Sequence, residues 1–224
     1  LIDHVKSLVP CLEPGQEARI DQIIVVDGDP GQGTLNAISN QDVLTAVSEP
    51  GRARQMNAGA RLAQGDYLLF LHADTILPES AACDVSACLA DMGIGLGAFG
   101  LEVAPGGRML RLFIRLADLR NRLLKTPYGD QALFLRQEVF DQAGGFPDQP
   151  IMEDVDLVRR VRKMGFQVRI LRSRVCTSDR RWQQEGLLRC TARNLSLRLL
   201  HALGVSPHRL ARWYANHKEG PEEH

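Results

Sequence analysis

Apolar positions along this chain fall into two rhythms that take turns. Ile23-Ile24-Val25-Val26 and Tyr67-Leu68-Leu69-Phe70-Leu71 are unbroken runs, which predict strands buried on both faces. Residues 44–47, 98–104, 132–135 and 168–171 predict further strands; in 98–104, Phe99, Leu101 and Val103 alternate with Gly100 and Glu102. Between the runs the spacing changes to three and four. Leu1, Ile2, Val5, Leu8, Val9 and Leu12 predict an opening helix, and residues 34–39, 52–63, 78–92, 108–125, 138–143, 155–164 and most of 186–215 predict others. Pro14-Gly15, Pro50-Gly51, Gly65, Pro105-Gly106-Gly107, Gly144-Gly145 and Gly165 separate these segments, and the Gly-rich stretch 93–97 is expected to break helix 78–92. Alternating helices and strands predict an α/β fold with a mainly parallel central sheet flanked by helices, followed by a helical C-terminal tail.

The clearest amphipathic pattern lies at 108–125. Met109, Leu112, Phe113, Leu116, Leu119 and Leu123 share one face, with Arg108, Arg111, Arg115, Arg122 and Lys125 largely off it. Such a helix is expected to pack its apolar side and keep its basic side in water.

Composition adds limits. The chain has 224 residues, 44% hydrophobic and 24% charged, enough for one large domain or for one domain with an appendage. Formal net charge is zero, so no nucleic-acid partner is expected. Between Arg180 and Lys218, however, eight basic residues face one acid, Glu185. The basic helices at 108–125 and 187–215 raise two readings, a peripheral contact with a phospholipid surface or a merely solvated face. Cys11, Cys83, Cys88, Cys176 and Cys190 form no Cys-x-x-Cys pair and are odd in number; each is expected to be a small buried hydrophobe in a reduced, cytoplasmic protein. No stretch approaches the ~18 apolar residues of a membrane span, and residues 1–10 lack the apolar core of a signal peptide. The chain opens without Met and in mid-helix, so a preceding segment is expected to be missing.

Candidate chemistry sits in four polar clusters at strand ends and in loops: Asp27-Gly28-Asp29, His72-Ala73-Asp74, Gly129-Asp130-Gln131 and Glu153-Asp154. A fifth, residues 178–182, adds Arg180, Arg181 and Trp182. Ligands of open α/β sheets bind beyond the carboxyl ends of the strands. Acidic clusters there suggest a divalent metal and a phosphorylated ligand. The plainer reading makes Asp74 a turn residue and Glu153-Asp154 a helix start with favourable N-terminal charge.

Five segments in order then carry a resemblance. Val-Val-Asp-Gly at 25–28, Gly-Arg-Ala-Arg-Gln-Met-Asn-Ala-Gly at 51–59, Phe-Leu-His-Ala-Asp-Thr at 70–75, Tyr-Gly-Asp-Gln at 128–131 and Pro-Ile-Met-Glu-Asp-Val-Asp-Leu at 150–157 resemble the family 2 glycosyltransferases of GT-A fold. More narrowly they resemble a small bacterial subgroup with a His-Ala-Asp-Thr version of the Asp-x-Asp motif. The resemblance implies a glycosyltransferase domain over 1–185, with a nucleotide-sugar half at 1–104, an acceptor half at 105–185 and the family's first strand absent, then a basic tail at 186–224. It implies an inverting transfer from a nucleotide-diphosphate sugar to a hydroxyl acceptor, with Mn²⁺ or Mg²⁺ on the leaving diphosphate. Asp154 becomes the catalytic base. Asp27, Gly28, Arg52, Arg54, Asn57, Ala73, Asp74 and Arg181 become donor contacts, with Asp74 and His72 as metal ligands. Asp130, Gln131, Glu153 and Trp182 fall to the acceptor or sugar site. Residues 178–182 are similar to the Gln-x-x-Arg-Trp motif of polymer-forming members, with Ser178 in place of Gln. A lipid-linked acceptor at the inner face of the membrane is one option. The alternatives are a nucleotidyltransferase that makes a nucleotide sugar and a non-catalytic sugar-nucleotide-binding protein.

Overall fold

β-branched residues favour extended backbone, and Ile23–Asp27 forms strand β1 with β2 (Val43–Val47) parallel beside it, Ile23 opposite Val43 and Asp27 opposite Val47. The connection between them passes through a short helix, α1 (Gly33–Asn36). These facts come from a computed structural model that describes residues 19–31, 33–36, 38, 42–104 and 107–216. The helix expected at 1–12 lies outside the described residues.

A second sheet holds β3 (Tyr67–Leu69), β4 (Thr75–Ile76), β5 (Ile94–Ala104), β6 (Phe134–Arg136) and β7 (Gln167–Ser178) in the order β3-β6-β5-β7-β4. β5 and β7 run parallel along most of their length. The pairs β3–β6, β5–β6 and β4–β7 are antiparallel. The first sheet is thus parallel and the second mixed, with the two longest ladders parallel as expected and the three short ones antiparallel. An apolar run reports that a strand is buried, not which way its neighbour runs, so this was beyond the reach of periodicity.

Helices cover the second sheet. One hydrophobic cluster joins Leu68, Leu96, Leu133, Leu135 and Val168 of the sheet and its margins to Ala53 and Ala60 of α2 (Arg52–Leu62), Val139 and Phe140 of α5 (Gln137–Gln142), and Leu157 and Val161 of α6 (Glu153–Lys163). Another joins Ile94, Phe99, Leu101, Val103 and Val175 to Val85 and Leu89 of α3 (Ala81–Leu89) and to Ile114 of α4 (Arg108–Leu124). The chain then runs through α7 (Arg180–Glu185), α8 (Leu187–Ala202) and α9 (Pro207–Asn216).

Several local expectations change. Residues 94–97 are strand, because their glycines make room for rings: a methyl on Gly95 would strike Phe166, and one on Gly97 would strike Phe134. β3 is an edge strand among the described residues, and Tyr67 is exposed, so the run 67–71 is not covered on both faces. Cys83 is exposed and Cys176 half-buried, whereas Cys88 and Cys190 are buried as expected; all four are free thiols. Cys83 lies on the outer side of α3, which turns Val85, Cys88 and Leu89 to the core.

Helix α4 does not pack by its leucine face, although Arg108, Arg111 and Arg115 are exposed as expected. Its buried residues are Ile114, Asp118 and Asn121, and its leucine face is exposed. The cause lies beneath it. The β5–β7 ladder changes register between Ala98 and Gly100, and side chains supply bonds around that break. Gln131 Nε2 donates to the Phe99 carbonyl, Asp118 Oδ1 accepts from the Leu101 amide, and Arg174 donates to the Leu101 carbonyl. Asp118 also pairs with Arg122 and Arg174, and Asn121 donates to Gln131 Oε1. The strip that carries Asp118 and Asn121 is therefore the one with partners inside.

Gly97→Ala is expected to destabilise the fold by about 1–3 kcal/mol through overpacking against Phe134. Urea denaturation checks this as a lower midpoint at unchanged m-value.

Candidate active site

Asp27 closes β1. It is buried; its Oδ1 accepts the Asp29 amide at 2.9 Å, and its Oδ2 has no hydrogen-bond partner among the described residues. Gly28 follows because the chain passes close to α2: an added Cβ would lie 3.1 Å from both the Gln55 side chain and Pro50 Cα. Gln55 Nε2 donates to the Val26 carbonyl at 3.2 Å, which fixes the start of α2 over the end of β1.

From α2 three side chains reach the segment that leads into α6. Asn57 exchanges two hydrogen bonds with the main chain of Phe146, at 2.8 and 2.9 Å. Arg54 Nε donates to Asp148 at 2.9 Å and its Nη1 to Glu49 at 2.5 Å. The Arg54 hydrogen bond holds the Asp148 carboxyl below its ordinary range. Arg52 Nε lies 3.3 Å from Glu153 Oε1, an ion pair without hydrogen-bond geometry, so that buried oxygen lacks a donor among the described residues.

Arg52 also meets the turn after β3. Its Nη2 lies 2.7 Å from His72 Nε2. A guanidinium can only donate, so this bond requires a ring whose Nε2 accepts. Ala73 and Asp74 are exposed in the same turn, which the Thr75 amide closes on the His72 carbonyl at 3.1 Å.

The fourth side of the site is the short 3₁₀ turn Gly129–Gln131. The Gly129 amide donates to Asp154 Oδ2 at 2.6 Å, and the Val155 amide to Asp154 Oδ1 at 2.8 Å. A Cβ on Gly129 would meet Arg52 Nη2 at 3.1 Å, His72 Nε2 at 3.2 Å and Asp154 Oδ2 at 3.3 Å. Those three groups thus converge on a residue without a side chain. Two non-glycine residues in left-handed backbone flank the convergence, Ala132 (φ 48°) and Met152 (φ 67°). Each such conformation costs on the order of 1 kcal/mol and persists where surrounding contacts impose it.

Glu153, Asp154 and Asp156 crowd the first turn of α6, where the helix dipole favours negative charge. Glu153 is buried, and its carboxyl is pushed above the ordinary glutamate range by burial first and by the Asp154 charge second, with Arg52 opposing. Burial also works to raise Asp156, but hydrogen bonds from Gln149 and His201 outweigh it and hold that carboxyl low. His201 belongs to α8, so the same contact docks the tail on α6.

Residues 5–85 match the family model for glycosyl transferase family 2. The mannosyltransferase PcManGT of Pyrobaculum calidifontis, solved in complex with GDP-Man and Mn²⁺, superposes with TM-score 0.59 at 18% identity over 79% of this chain and 53% of its own. S. aureus TarS, solved over its residues 1–349, superposes with TM-score 0.57 at 14% identity over 79% of this chain and 57% of its own. The fold is GT-A. The chain spans just over half the length of these two structures, and no curated protein matches it.

In this GT-A scaffold Arg52, His72, Gly129, Glu153 and Asp154 meet directly. Asp27 and Gly28 lie at the end of β1 beside the start of α2, while Arg54 and Asn57 are committed to the loop before α6. Gln131 is fully buried, with its amide shared among Phe99, Asn121 and Tyr128. Asp130 is half-buried in the 3₁₀ turn. Trp182 packs against the second hydrophobic cluster, and the Arg181 side chain lies outside the described ones. Gly129 itself went unassigned from sequence, although it stands inside the Tyr-Gly-Asp-Gln motif. For a metal, Asp74 fits as an exposed carboxylate. His72 as placed has its Nε2 lone pair turned to Arg52. Among the described residues no three His, Cys, Asp or Glu side chains cluster as a metal site.

The Glu153 carboxyl binds its proton more tightly folded than unfolded, so wild-type stability falls as pH rises from the ordinary glutamate range through the raised folded value. Glu153→Gln lacks that loss. Its stability relative to wild type is expected to improve as pH rises above the ordinary glutamate range, measured by chemical denaturation at a series of pH values.

Proposed function

We propose that this chain is a family 2 glycosyltransferase, of the subgroup with His-Ala-Asp-Thr, that moves a sugar from a nucleotide-diphosphate donor to a hydroxyl acceptor with inversion. The observation that carries the reading is the convergence of Arg52, His72 and Asp154 on Gly129. It places a fixed carboxylate beside a cation that is half exposed to incoming ligand.

Asp154 is the base. Two main-chain amides fix its orientation, and its remaining lone pairs accept the proton of the acceptor hydroxyl as the new bond to the anomeric carbon forms. Glu153 orients the loop from beneath. Arg52 meets the diphosphate; its fork of donors suits phosphate oxygens. Asp27, with a buried unpartnered oxygen, and Gly28 receive the nucleoside, since a carboxylate accepts hydroxyl or N–H donors. Asp74 would hold Mn²⁺ or Mg²⁺, joined by His72 if its ring releases Arg52, and the ion would supply positive charge to the diphosphate. Asp130 lines the sugar or acceptor side, with Ala73, Arg181 and Trp182 at its margins. Arg54, Asn57 and Gln131 act as positioning residues. PcManGT was solved with GDP-Man and Mn²⁺, which recommends GDP-mannose as the first donor to try.

A thermal-shift screen of UDP-, GDP- and dTDP-sugars, with and without Mn²⁺, is expected to give a metal-dependent rise for one donor class. No rise for any donor would overturn the reading. With that donor, Asp154→Asn is expected to lower nucleoside diphosphate release to a competent acceptor by about 10²–10⁴-fold while donor binding persists. Unchanged turnover would sink the assignment of Asp154.

A further inference from the structure

Helix α4 carries its apolar stripe on the outside. Met109, Leu112, Leu116, Leu119 and Leu123 follow at three- and four-residue steps, so they line one face. All are exposed, from 53% at Leu119 to 75% at Leu123. Single exposed leucines are ordinary on a protein surface, but a row of this length is not. Arginines border it. At about 100° per residue, Arg108 and Arg115 fall on one side of the stripe and Arg120 on the other, with Arg111 beyond Arg115. Arg108, Arg111 and Arg115 form no ion pair among the described residues, and the helix's one acid, Asp118, is buried against Arg122 and Arg174.

A second exposed row, Leu195 and Leu199 of α8 with Leu203 at its C-terminal cap, follows at four-residue steps. Arg120 of α4 and Arg198 of α8 both donate to the Tyr128 hydroxyl. Both rows therefore belong to helices anchored at the residue that precedes Gly129.

We propose that this face of α4 docks on an anionic phospholipid bilayer, its leucines entering the boundary between headgroups and acyl chains and its arginines meeting lipid phosphates. Charge decides between a bilayer and a second copy of the chain. A two-fold contact through this face would bring the arginines of both copies together, with no exposed acid on either α4 to answer them. Anionic lipid supplies the missing sign. No helix among the described residues is long and apolar enough to cross a membrane, so the contact is one of lying on the surface. The proposal does not rest on the glycosyl-transfer reading.

The test is co-sedimentation of the whole chain with vesicles of phosphatidylcholine alone or mixed with phosphatidylglycerol, at low and high salt. Binding is expected on the mixed vesicles at low salt and weaker at high salt. Leu112→Glu with Leu116→Glu is expected to weaken partition more than about tenfold. Arg108→Gln and Arg115→Gln are each expected to weaken it about fivefold. These positions are exposed, so an unchanged melting curve is expected throughout. Absence of wild-type binding at low salt overturns the proposal. So does binding that the folded arginine variants leave unchanged, or a dimer in light scattering that the leucine variant dissolves.

Discussion

Asn57 holds both main-chain polar groups of Phe146, and from the same helix Arg54 reaches Asp148 and Arg52 reaches Glu153. The segment so held has no strand or helix of its own between α5 and α6. It begins with Gly144 and Gly145 in left-handed backbone and ends on Met152 in the same region. Nothing internal would keep such a loop in place. Each Asn57 bond adds about 1 kcal/mol net, and losing the side chain would leave two part-buried main-chain groups unpaired. The other side of α2 is equally tied: Gly59 lies against Val26, and Ala53 and Ala60 belong to the main core. One helix therefore sets the distance from the end of β1 to Asp154.

The charges around Gly129 are unequal in burial, and that inequality shapes the site. Glu153 is almost wholly enclosed, while the Arg52 side chain opposite is 52% exposed. A half-solvated arginine cannot fully compensate a carboxylate taken out of water, which is why burial still dominates at Glu153. The compensation that Arg52 withholds stays directed at the opening of the site. Asp156 has the opposite arrangement, with Gln149 and His201 each bonded to one of its oxygens. Within one helical turn, then, one carboxyl is held below its usual range and another above it.

Much of this was legible in the sequence. The strands at 23–27 and 43–47 and helix α2 declared themselves by periodicity, and the polar clusters that meet at Gly129 stood out as loops after apolar runs. Three features did not. Gly95 and Gly97 read as breakers because the rings of Phe166 and Phe134 that occupy their missing side chains come from distant segments. Strand direction at β6 left no trace in a three-residue apolar stretch. Helix α4 misled most. Its strong leucine pattern is real, but the burial of Asp118 and Asn121 follows from a register change in the β5–β7 ladder that no local spacing encodes.

The outward leucines of α4 give the molecule one apolar side. Water against that stripe is held at a free-energy cost that any adhering phase can release, whether bilayer, air–water boundary or chromatography resin. Adsorption would not be random. The last turn of α4 runs through Lys125 to Tyr128 and Gly129, so a chain lying on this helix presents the Gly129 turn at a fixed height above the surface.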